Sequence, residues 1–168
     1  MREALFAILG SDIEWARTRV LDLYAGTGAL AFEAISRGAA KATLVESARP
    51  AVQAISANAR ALGVLGRVRI VPMTVERASA VVRREGPFDL VFADPPYALV
   101  GNGEAARALD DLLRCPSEVL SSGARLVLEH GKADAPPSLS GFTLTETRRY
   151  GDTSLSFFVL AESPVSEP

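Results

Sequence analysis

The chain has 168 residues, of which 48% are hydrophobic, 23% charged and 7% aromatic, with a formal net charge of −2 and a pI near 5.5. These values are typical of one globular domain and exclude a surface that is basic throughout, so affinity for nucleic acid has to come from a local site. The single cysteine, Cys115, cannot form an internal disulfide, and no histidine and cysteine cluster has metal-ligand spacing. No apolar run approaches the roughly 20 residues of a membrane span, so we expect a cytoplasmic protein with no membrane segment.

Strand-like and helical stretches alternate along most of the chain, after an amphipathic helix expected over 2–9. Short aliphatic and β-branched runs predict buried strands over 20–23, 42–46, 68–71, 88–93 and 125–129. Stretches of helical period, each followed by glycine or proline, predict helices over 29–37, 48–62, 75–84 and 104–113. This alternation predicts a doubly wound α/β fold, in which helices cover both faces of a parallel sheet.

In the last third of the chain, predicted strands no longer alternate with helices. Two strand-like runs, 143–150 and 154–160, are joined by the short Gly-Asp-Thr connection 151–153, which predicts an antiparallel hairpin. We therefore expect a mostly parallel sheet that ends in a hairpin, within a single Rossmann-like domain over 1–161. Residues 162–168 are polar and contain prolines, and we expect a disordered tail there.

A glycine turn follows the first predicted strand. Gly26 and Gly28 permit a tight turn and let a ligand approach the backbone, while the helix that follows offers free N–H groups. Glu46 comes at the end of the second strand, where a carboxylate can accept both hydroxyls of a ribose. Together these features predict a site for an adenosine-containing cofactor.

The identity of that cofactor depends on a nearby acid. The pattern Gly26-x-Gly28-x-x-Ala31 also fits the loose dinucleotide fingerprint, which is a weak indication by itself. Asp22, four residues before the first glycine, would repel a pyrophosphate but not the cationic methionyl part of S-adenosylmethionine, so it favours this methyl donor. The plainer alternative is a strand-to-helix turn with a surface acid.

The tetrad Asp94-Pro95-Pro96-Tyr97 follows the fourth predicted strand, at the sheet edge where such folds bind ligands. The two prolines lack N–H donors and stiffen the chain, so carbonyls there are left as acceptors. Asp94 and the Pro95 carbonyl can then accept both hydrogens of a nucleobase amine and orient its nitrogen for methyl transfer, while Tyr97 stacks on the base. An ordinary turn is the alternative, and 98–103 is either a lid or a connector.

With both motifs placed, the chain resembles the RsmD family of bacterial 16S rRNA guanine-N2 methyltransferases. The matching segments are REALFAIL, VLDLYAGTGALAFEAISRGA, TLVE, FDLVFADPPY, LVLEH and RRYGDTSLSFF, which together cover nearly the whole chain. The resemblance implies a class I methyltransferase fold with strand order 3-2-1-4-5-7-6 and a target guanine held by Asp94, Pro95, Pro96 and Tyr97. It implies an S-adenosylmethionine site formed by Asp22, Tyr24, Ala25, Gly26, Thr27, Gly28, Glu46, Ser47, Thr74, Val75 and Asp94.

The resemblance also implies a partner and a product. The partner would be 16S rRNA or an assembling small ribosomal subunit, and the product N2-methylguanine, with the guanine at position 966 as the type of target. Independently of the resemblance, a monomer is the default expectation for a small RNA-modifying domain. Two departures from the family pattern stand out. Thr74 lies where the family usually has an acid or amide toward the adenine amine, with Glu76 as a possible substitute. Family members usually carry a basic hairpin upstream of the first helix here, so we expect the native protein to be longer and more basic.

Two alternatives to guanine N2 methylation remain open at this stage. The first is methylation of adenine N6 in DNA or RNA, because the tetrad fits any planar exocyclic amine. The second is a cofactor-binding domain that is inactive without the upstream segment. For Arg148 and Arg149, contact with phosphate and a solvated hairpin face both remain open. The only histidine, His130, is expected to be a satisfied residue at the sheet edge rather than an acid or base.

Overall fold

Seven strands form one sheet in the computed structural model, which describes residues 1–10 and 12–161. The strands are β1 (Arg19–Leu23), β2 (Lys41–Val45), β3 (Val68–Val71), β4 (Phe88–Ala93), β5 (Leu120–Gly131), β6 (Phe142–Tyr150) and β7 (Thr153–Leu160). The helices are α1 (Arg2–Gly10), α2 (Ala29–Ser36), α3 (Arg49–Ala61), α4 (Ser79–Glu85), α5 (Tyr97–Gly101), α6 (Glu104–Leu112) and α7 (Pro116–Val119), with single 3-10 turns at Trp15–Arg17, Leu65–Arg67 and Val75–Arg77. The tail expected over 162–168 lies outside the described residues.

The strand order is β3-β2-β1-β4-β5-β7-β6, which confirms the order that the family resemblance implies. Strands β1 to β5 pair in parallel, and β7 pairs antiparallel with both β5 and β6, so the predicted hairpin is also confirmed. The order reverses between β1 and β4. In an open α/β sheet this reversal leaves a crevice at the carboxyl ends of the strands, where ligands bind.

Buried side chains on both faces of the central strands explain their continuous apolar sequences. Leu21, Val91 and Leu126 belong to one core cluster, beneath α4, α6 and α7. Val20 and Val127 belong to the other, beneath α1, α2 and α3. A sheet covered in this way has only its strand ends open to solvent, and this restricts ligand sites to those ends. Within the described residues, every helix is too short or too polar to span a bilayer.

Three elements differ from their predicted form. The helix predicted over 75–84 is broken, because a 3-10 turn at Val75–Arg77 precedes α4. Strand β5 is twelve residues long, since its second half pairs with β7 as well as with β4. The segment predicted as a lid or connector begins inside a short helix, α5. The Leu99 amide donates a hydrogen bond to the Pro96 carbonyl at the start of this helix.

Candidate active site

A cavity of about 670 Å³ opens at the carboxyl ends of β1 to β5, over the point where the strand order reverses. Its volume falls within the range of roughly 300–1,000 Å³ that is typical of small-ligand sites. The predicted site residues that line it are Tyr24, Gly26, Glu46, Ser47, Thr74, Val75, Asp94, Pro95, Pro96 and Tyr97. The cavity therefore brings the glycine turn and the Asp-Pro-Pro-Tyr tetrad together in one cleft.

The two glycines of the turn have different structural roles. Gly28 is buried with φ +84°, and a Cβ there would lie 2.6 Å from Phe32 Cε2 and 2.9 Å from Leu44 Cδ2. Gly26 also has a positive φ, of +57°, but a Cβ there would meet no atom within 4 Å, and the residue lines the cleft. Gly28 therefore allows α2 to pack against the sheet, whereas Gly26 leaves space beside the backbone for a ligand.

Glu46 connects the end of β2 to this turn. Its Oε2 accepts a hydrogen bond from the Gly26 amide at 2.8 Å, and its Oε1 accepts one from the Ala48 amide at 2.8 Å. Each carboxylate oxygen has a second lone-pair site, so both can accept a further hydrogen bond from a ligand hydroxyl. The predicted ribose acceptor is thus fixed in position before any ligand arrives.

Asp22 lies beneath the turn rather than in the cleft. Its Oδ2 accepts a hydrogen bond from the Ala31 amide at 3.1 Å, so the carboxyl caps the first turn of α2. Burial, helped by the negative charges of Asp94 and Glu46, raises the pKa of Asp22 to about 8 against the lowering effect of that hydrogen bond. Asp22 therefore supports the turn from beneath and does not line the cleft.

Three other residues predicted for the cofactor site also lie outside the cavity lining: Ala25, Thr27 and Gly28. The Ala25 amide donates to the Val45 carbonyl at 3.1 Å, and the Gly28 amide donates to the Ala25 carbonyl at 2.8 Å. The Thr27 carbonyl accepts a hydrogen bond from Asn58 Nδ2 at 3.2 Å. These contacts give the turn its shape. Some residues of this continuous segment therefore line the cleft, and the others support the turn.

Tyr24 has an unusual backbone and an unpaired hydroxyl. Its φ is +58°, in the left-handed region that residues with a side chain rarely adopt. The hydroxyl is buried and has no hydrogen-bond partner among the described residues, and burial together with the charge of Glu76 raises its pKa to about 12. A strained residue with an unsatisfied donor beside a cavity is typical of a ligand site.

The tetrad presents two free acceptors to the cleft. Asp94 is held against β1 by a hydrogen bond from its amide to the Leu23 carbonyl at 3.4 Å, and desolvation raises the pKa of its carboxyl. Among the described residues, neither the Asp94 carboxylate nor the Pro95 carbonyl accepts a hydrogen bond. Both groups are therefore available to a ligand that carries N–H donors.

Tyr97 lies at the mouth of the cleft, with 56% of its surface exposed. Its hydroxyl forms a hydrogen bond of 3.1 Å with Thr153 Oγ1, which connects α5 to the start of β7. The ring is thus held by its outer end while its face stays accessible. This geometry suits the predicted stacking on a flat ligand.

Sequence reasoning missed Glu129, which lines the same cleft from the end of β5. Burial and the charge of Asp94 raise the pKa of Glu129 to about 7, while the amino terminus lowers it. An acid that ends a buried strand was the pattern that identified Glu46, and the same pattern in LVLE could have identified Glu129. The adjacent His130 is buried and bonded to Ser156 Oγ at 2.8 Å, which confirms its predicted structural role.

Comparisons with known proteins agree with this geometry. A family model described as "Conserved hypothetical protein 95" matches residues 1–159. YlbH of Bacillus subtilis is 28% identical over 160 residues, which covers 94% of this chain and 83% of that protein. "Ribosomal RNA small subunit methyltransferase D" of Escherichia coli K12 is 39% identical over 97 residues, covering 58% of this chain and 46% of that protein. A solved structure of a conserved hypothetical protein from Streptococcus pyogenes matches with a TM-score of 0.78 at 34% identity, over 96% of both chains.

Proposed function

The chain belongs to the RsmD family of ribosomal RNA methyltransferases, and we propose that it transfers a methyl group from S-adenosylmethionine to the exocyclic N2 amine of a guanine in small-subunit rRNA. The observation that carries this proposal is the pair of free acceptors, Asp94 and the Pro95 carbonyl, in the cleft that also contains the glycine turn. Family membership makes the chain an S-adenosylmethionine-dependent RNA methyltransferase of class I fold. The guanine 966 type of target, an assembling subunit as substrate, and a cytoplasmic monomer are parts of the proposal.

Four features of the cleft support its fit to S-adenosylmethionine. The space beside Gly26 admits a ligand against the backbone, and the Glu46 carboxylate has acceptor sites left for the ribose hydroxyls. The unpaired Tyr24 hydroxyl offers a donor or acceptor at the same turn. The carboxyls of Glu46 and Asp94 both line the cleft, and acidic groups there favour a cationic ligand over a pyrophosphate.

S-adenosylmethionine, when bound, would supply a methyl group attached to a positively charged sulfur; a nitrogen lone pair would bond to the methyl carbon as the carbon–sulfur bond breaks and the sulfur leaves. The amine of guanine is a poor nucleophile, because its lone pair is delocalised into the ring. Asp94 and Pro95 help by accepting one amine hydrogen each, which fixes the nitrogen in position. The carboxyl of Asp94, whose pKa is raised by desolvation, is also suited to take the proton that the nitrogen loses.

Tyr97 holds the base after it has left its own stack. Nucleobases inside a folded RNA are inaccessible, so an enzyme that modifies one has to bind it unstacked. The exposed ring of Tyr97 at the mouth of the cleft offers a stacking surface that partly replaces the lost one. Its hydrogen bond to Thr153 keeps that surface in a fixed orientation.

The test is methyl transfer from labelled S-adenosylmethionine to small ribosomal subunits, and to free 16S rRNA, that lack the modification. Wild-type protein is compared with Asp94→Ala and with a control, Asp111→Ala, which removes an exposed carboxylate on α6. We expect N2-methylguanine from the wild type and the control, and at least a roughly 100-fold lower rate from Asp94→Ala.

Other products would decide between the alternatives. N6-methyladenine in the digested nucleosides would replace guanine with adenine as the substrate. Binding of S-adenosylmethionine without transfer to any nucleic acid would instead favour a cofactor-binding domain that is inactive without further residues.

A further inference from the structure

Glu129 stands beside Asp94 on the neighbouring strand. Strands β4 and β5 run parallel with Ala93 opposite Leu128, so the next residues along the two strands are Asp94 and Glu129. Side chains at neighbouring positions of paired strands lie on the same face of a sheet, and both of these line the cleft. The cleft therefore has a second carboxyl next to the proposed amine acceptor.

The surroundings of Glu129 leave its carboxyl without a protein partner. One side of the residue borders a small cavity whose lining is mostly apolar, with Phe92, Val127 and Leu155, but also includes Met1 and Arg2. Among the described residues, no hydrogen-bond donor contacts the Glu129 carboxyl, and no lysine or arginine forms an ion pair with it. A half-buried carboxyl of this kind is costly unless a ligand supplies N–H donors.

Guanine and adenine differ in what they would present to this carboxyl. In guanine, the ring nitrogen N1 next to the amine carries a hydrogen and is a donor. In adenine, and in 2-aminopurine, the ring nitrogen next to the amine carries a lone pair and is an acceptor. A carboxylate at that place attracts the first arrangement and repels the second, because it is only an acceptor.

We propose that Glu129 is the residue that selects guanine, its carboxylate accepting the N1–H of the base while Asp94 and the Pro95 carbonyl accept the two amine hydrogens. This inference rests on the proposed function. The three acceptors come from the ends of adjacent strands, β4 and β5, and face one cavity. Burial and the charge of Asp94 raise the pKa of Glu129 in the protein alone, and an N1–H donor on the base would lower it and favour the ionised form.

The experiment uses small ribosomal subunits reconstituted with 16S rRNA that carries either guanine or 2-aminopurine at the methylated position. 2-Aminopurine keeps the 2-amine and lacks N1–H, so it tests this single contact. We expect the wild type to favour guanine by about 10- to 100-fold in kcat/KM. Glu129→Gln should be slower on guanine and lose most of this preference, because its amide N–H can donate to the N1 of 2-aminopurine.

Two controls separate selection of the base from a structural effect. Glu14→Gln changes an exposed side chain, 70% accessible, and should keep both the rate and the preference of the wild type. The affinity of Glu129→Gln for S-adenosylhomocysteine should equal that of the wild type. Equal slowing on both bases, with the preference for guanine retained, would overturn the inference and leave the proposed function intact. Absence of any methylated guanine with the wild type would overturn the proposed function itself.

Discussion

The Glu46 carboxylate accepts a hydrogen bond from the Gly26 amide at 2.8 Å, although the two residues are 20 positions apart in the chain. The contact joins the end of β2 to the turn after β1, and it brings the proposed ribose acceptor against the backbone that the cofactor has to approach. The shape of the turn and the recognition of the ribose therefore depend on one side chain.

Replacement of Glu46 by glutamine should weaken cofactor binding. An amide group has one acceptor atom instead of two, so it cannot accept from both Gly26 and Ala48 and still bind two ribose hydroxyls. We expect the Kd for S-adenosylhomocysteine to rise by at least about 10-fold, or about 1.4 kcal/mol, in isothermal titration calorimetry. Glu118→Gln, on the exposed side of α7, serves as the control. An unchanged Kd for Glu46→Gln would remove Glu46 from the proposed site.

Replacement of the two glycines of the turn by alanine should have different consequences, one mainly for stability and the other mainly for cofactor binding. Gly28→Ala introduces a Cβ against Phe32 and Leu44 at a positive φ, so we expect a loss of roughly 2 to 4 kcal/mol in the free energy of unfolding. Gly26→Ala meets no neighbouring atom and should cost only about 1 to 2 kcal/mol of backbone strain, yet its methyl group enters the space proposed for the cofactor. Urea unfolding and calorimetry with S-adenosylhomocysteine measure the two effects separately. Equal destabilisation by both substitutions would contradict the distinction.

The sequence was sufficient to predict most of the architecture, because strand and helix periods depend on local spacing. The positions of β1 to β4, the hairpin and the glycine turn follow from such patterns, and the structure confirms them. The strand order followed only from family resemblance, since spacing does not determine which strands become neighbours. Strand β5 was predicted too short because its length depends on pairing with β7, which is distant in sequence.

The roles of individual acids were harder to predict. Asp22 was expected against the cofactor-binding loop, but spacing alone did not predict that its carboxyl accepts a hydrogen bond from the Ala31 amide, a contact that depends on how α2 packs on β1. Glu129 was missed because only the pairing of β4 with β5 brings it next to Asp94. The spacing of residues within one segment can predict that an acid lies near the carboxyl edge of the sheet. Which way its side chain points depends on how several segments pack together.

The buried carboxyl of Asp22 should make stability depend on pH. Its pKa is about 8 in the folded protein against 3.8 for the free group, so the folded state keeps a proton that the unfolded chain loses between these values. The stabilising contribution is complete below pH 4 and is lost as the pH rises toward 8. Asp22→Asn keeps an acceptor for the Ala31 amide and cannot titrate.

We therefore expect wild-type protein to lose at least about 1 kcal/mol of unfolding free energy relative to Asp22→Asn between pH 5 and pH 8. Urea unfolding of both proteins at the two pH values gives this difference directly. A constant difference across the range would show that Asp22 does not titrate in this window.

Tyr97 should act through its ring more than through its hydroxyl. Tyr97→Phe removes only the hydrogen bond to Thr153, so we expect less than about a 10-fold loss in kcat/KM for the RNA substrate. Tyr97→Ala removes the stacking surface, which is worth about 1–3 kcal/mol, so we expect a loss of roughly 10- to 100-fold. The Kd for S-adenosylhomocysteine should stay unchanged in both variants. If phenylalanine were as harmful as alanine, the hydroxyl rather than the ring would be the important group.

Arg148 and Arg149 allow a matched test of phosphate contact, because consecutive residues of a strand face opposite sides of a sheet. Arg149 lines a second cavity, of about 510 Å³, which also borders Lys132 and shares Tyr97 with the active-site cleft. Within the described residues it forms no ion pair, whereas Arg148 is paired with Glu146. Phosphates that flank a base bound at Tyr97 would therefore lie near Arg149.

We expect Arg149→Ala to raise KM for the RNA several-fold and to reduce the slope of log(kcat/KM) against log[KCl] by about 0.7 to 0.9, the value for one phosphate contact. Arg148→Ala should change neither quantity, because that side chain faces away from the cavity. Steady-state kinetics between about 50 and 200 mM KCl would measure both effects in the range where such contacts are most sensitive to salt. Equal effects of the two substitutions would indicate general attraction of the RNA by a basic hairpin. The two arginines carry the same charge, so only a specific contact at the cavity would make their effects differ.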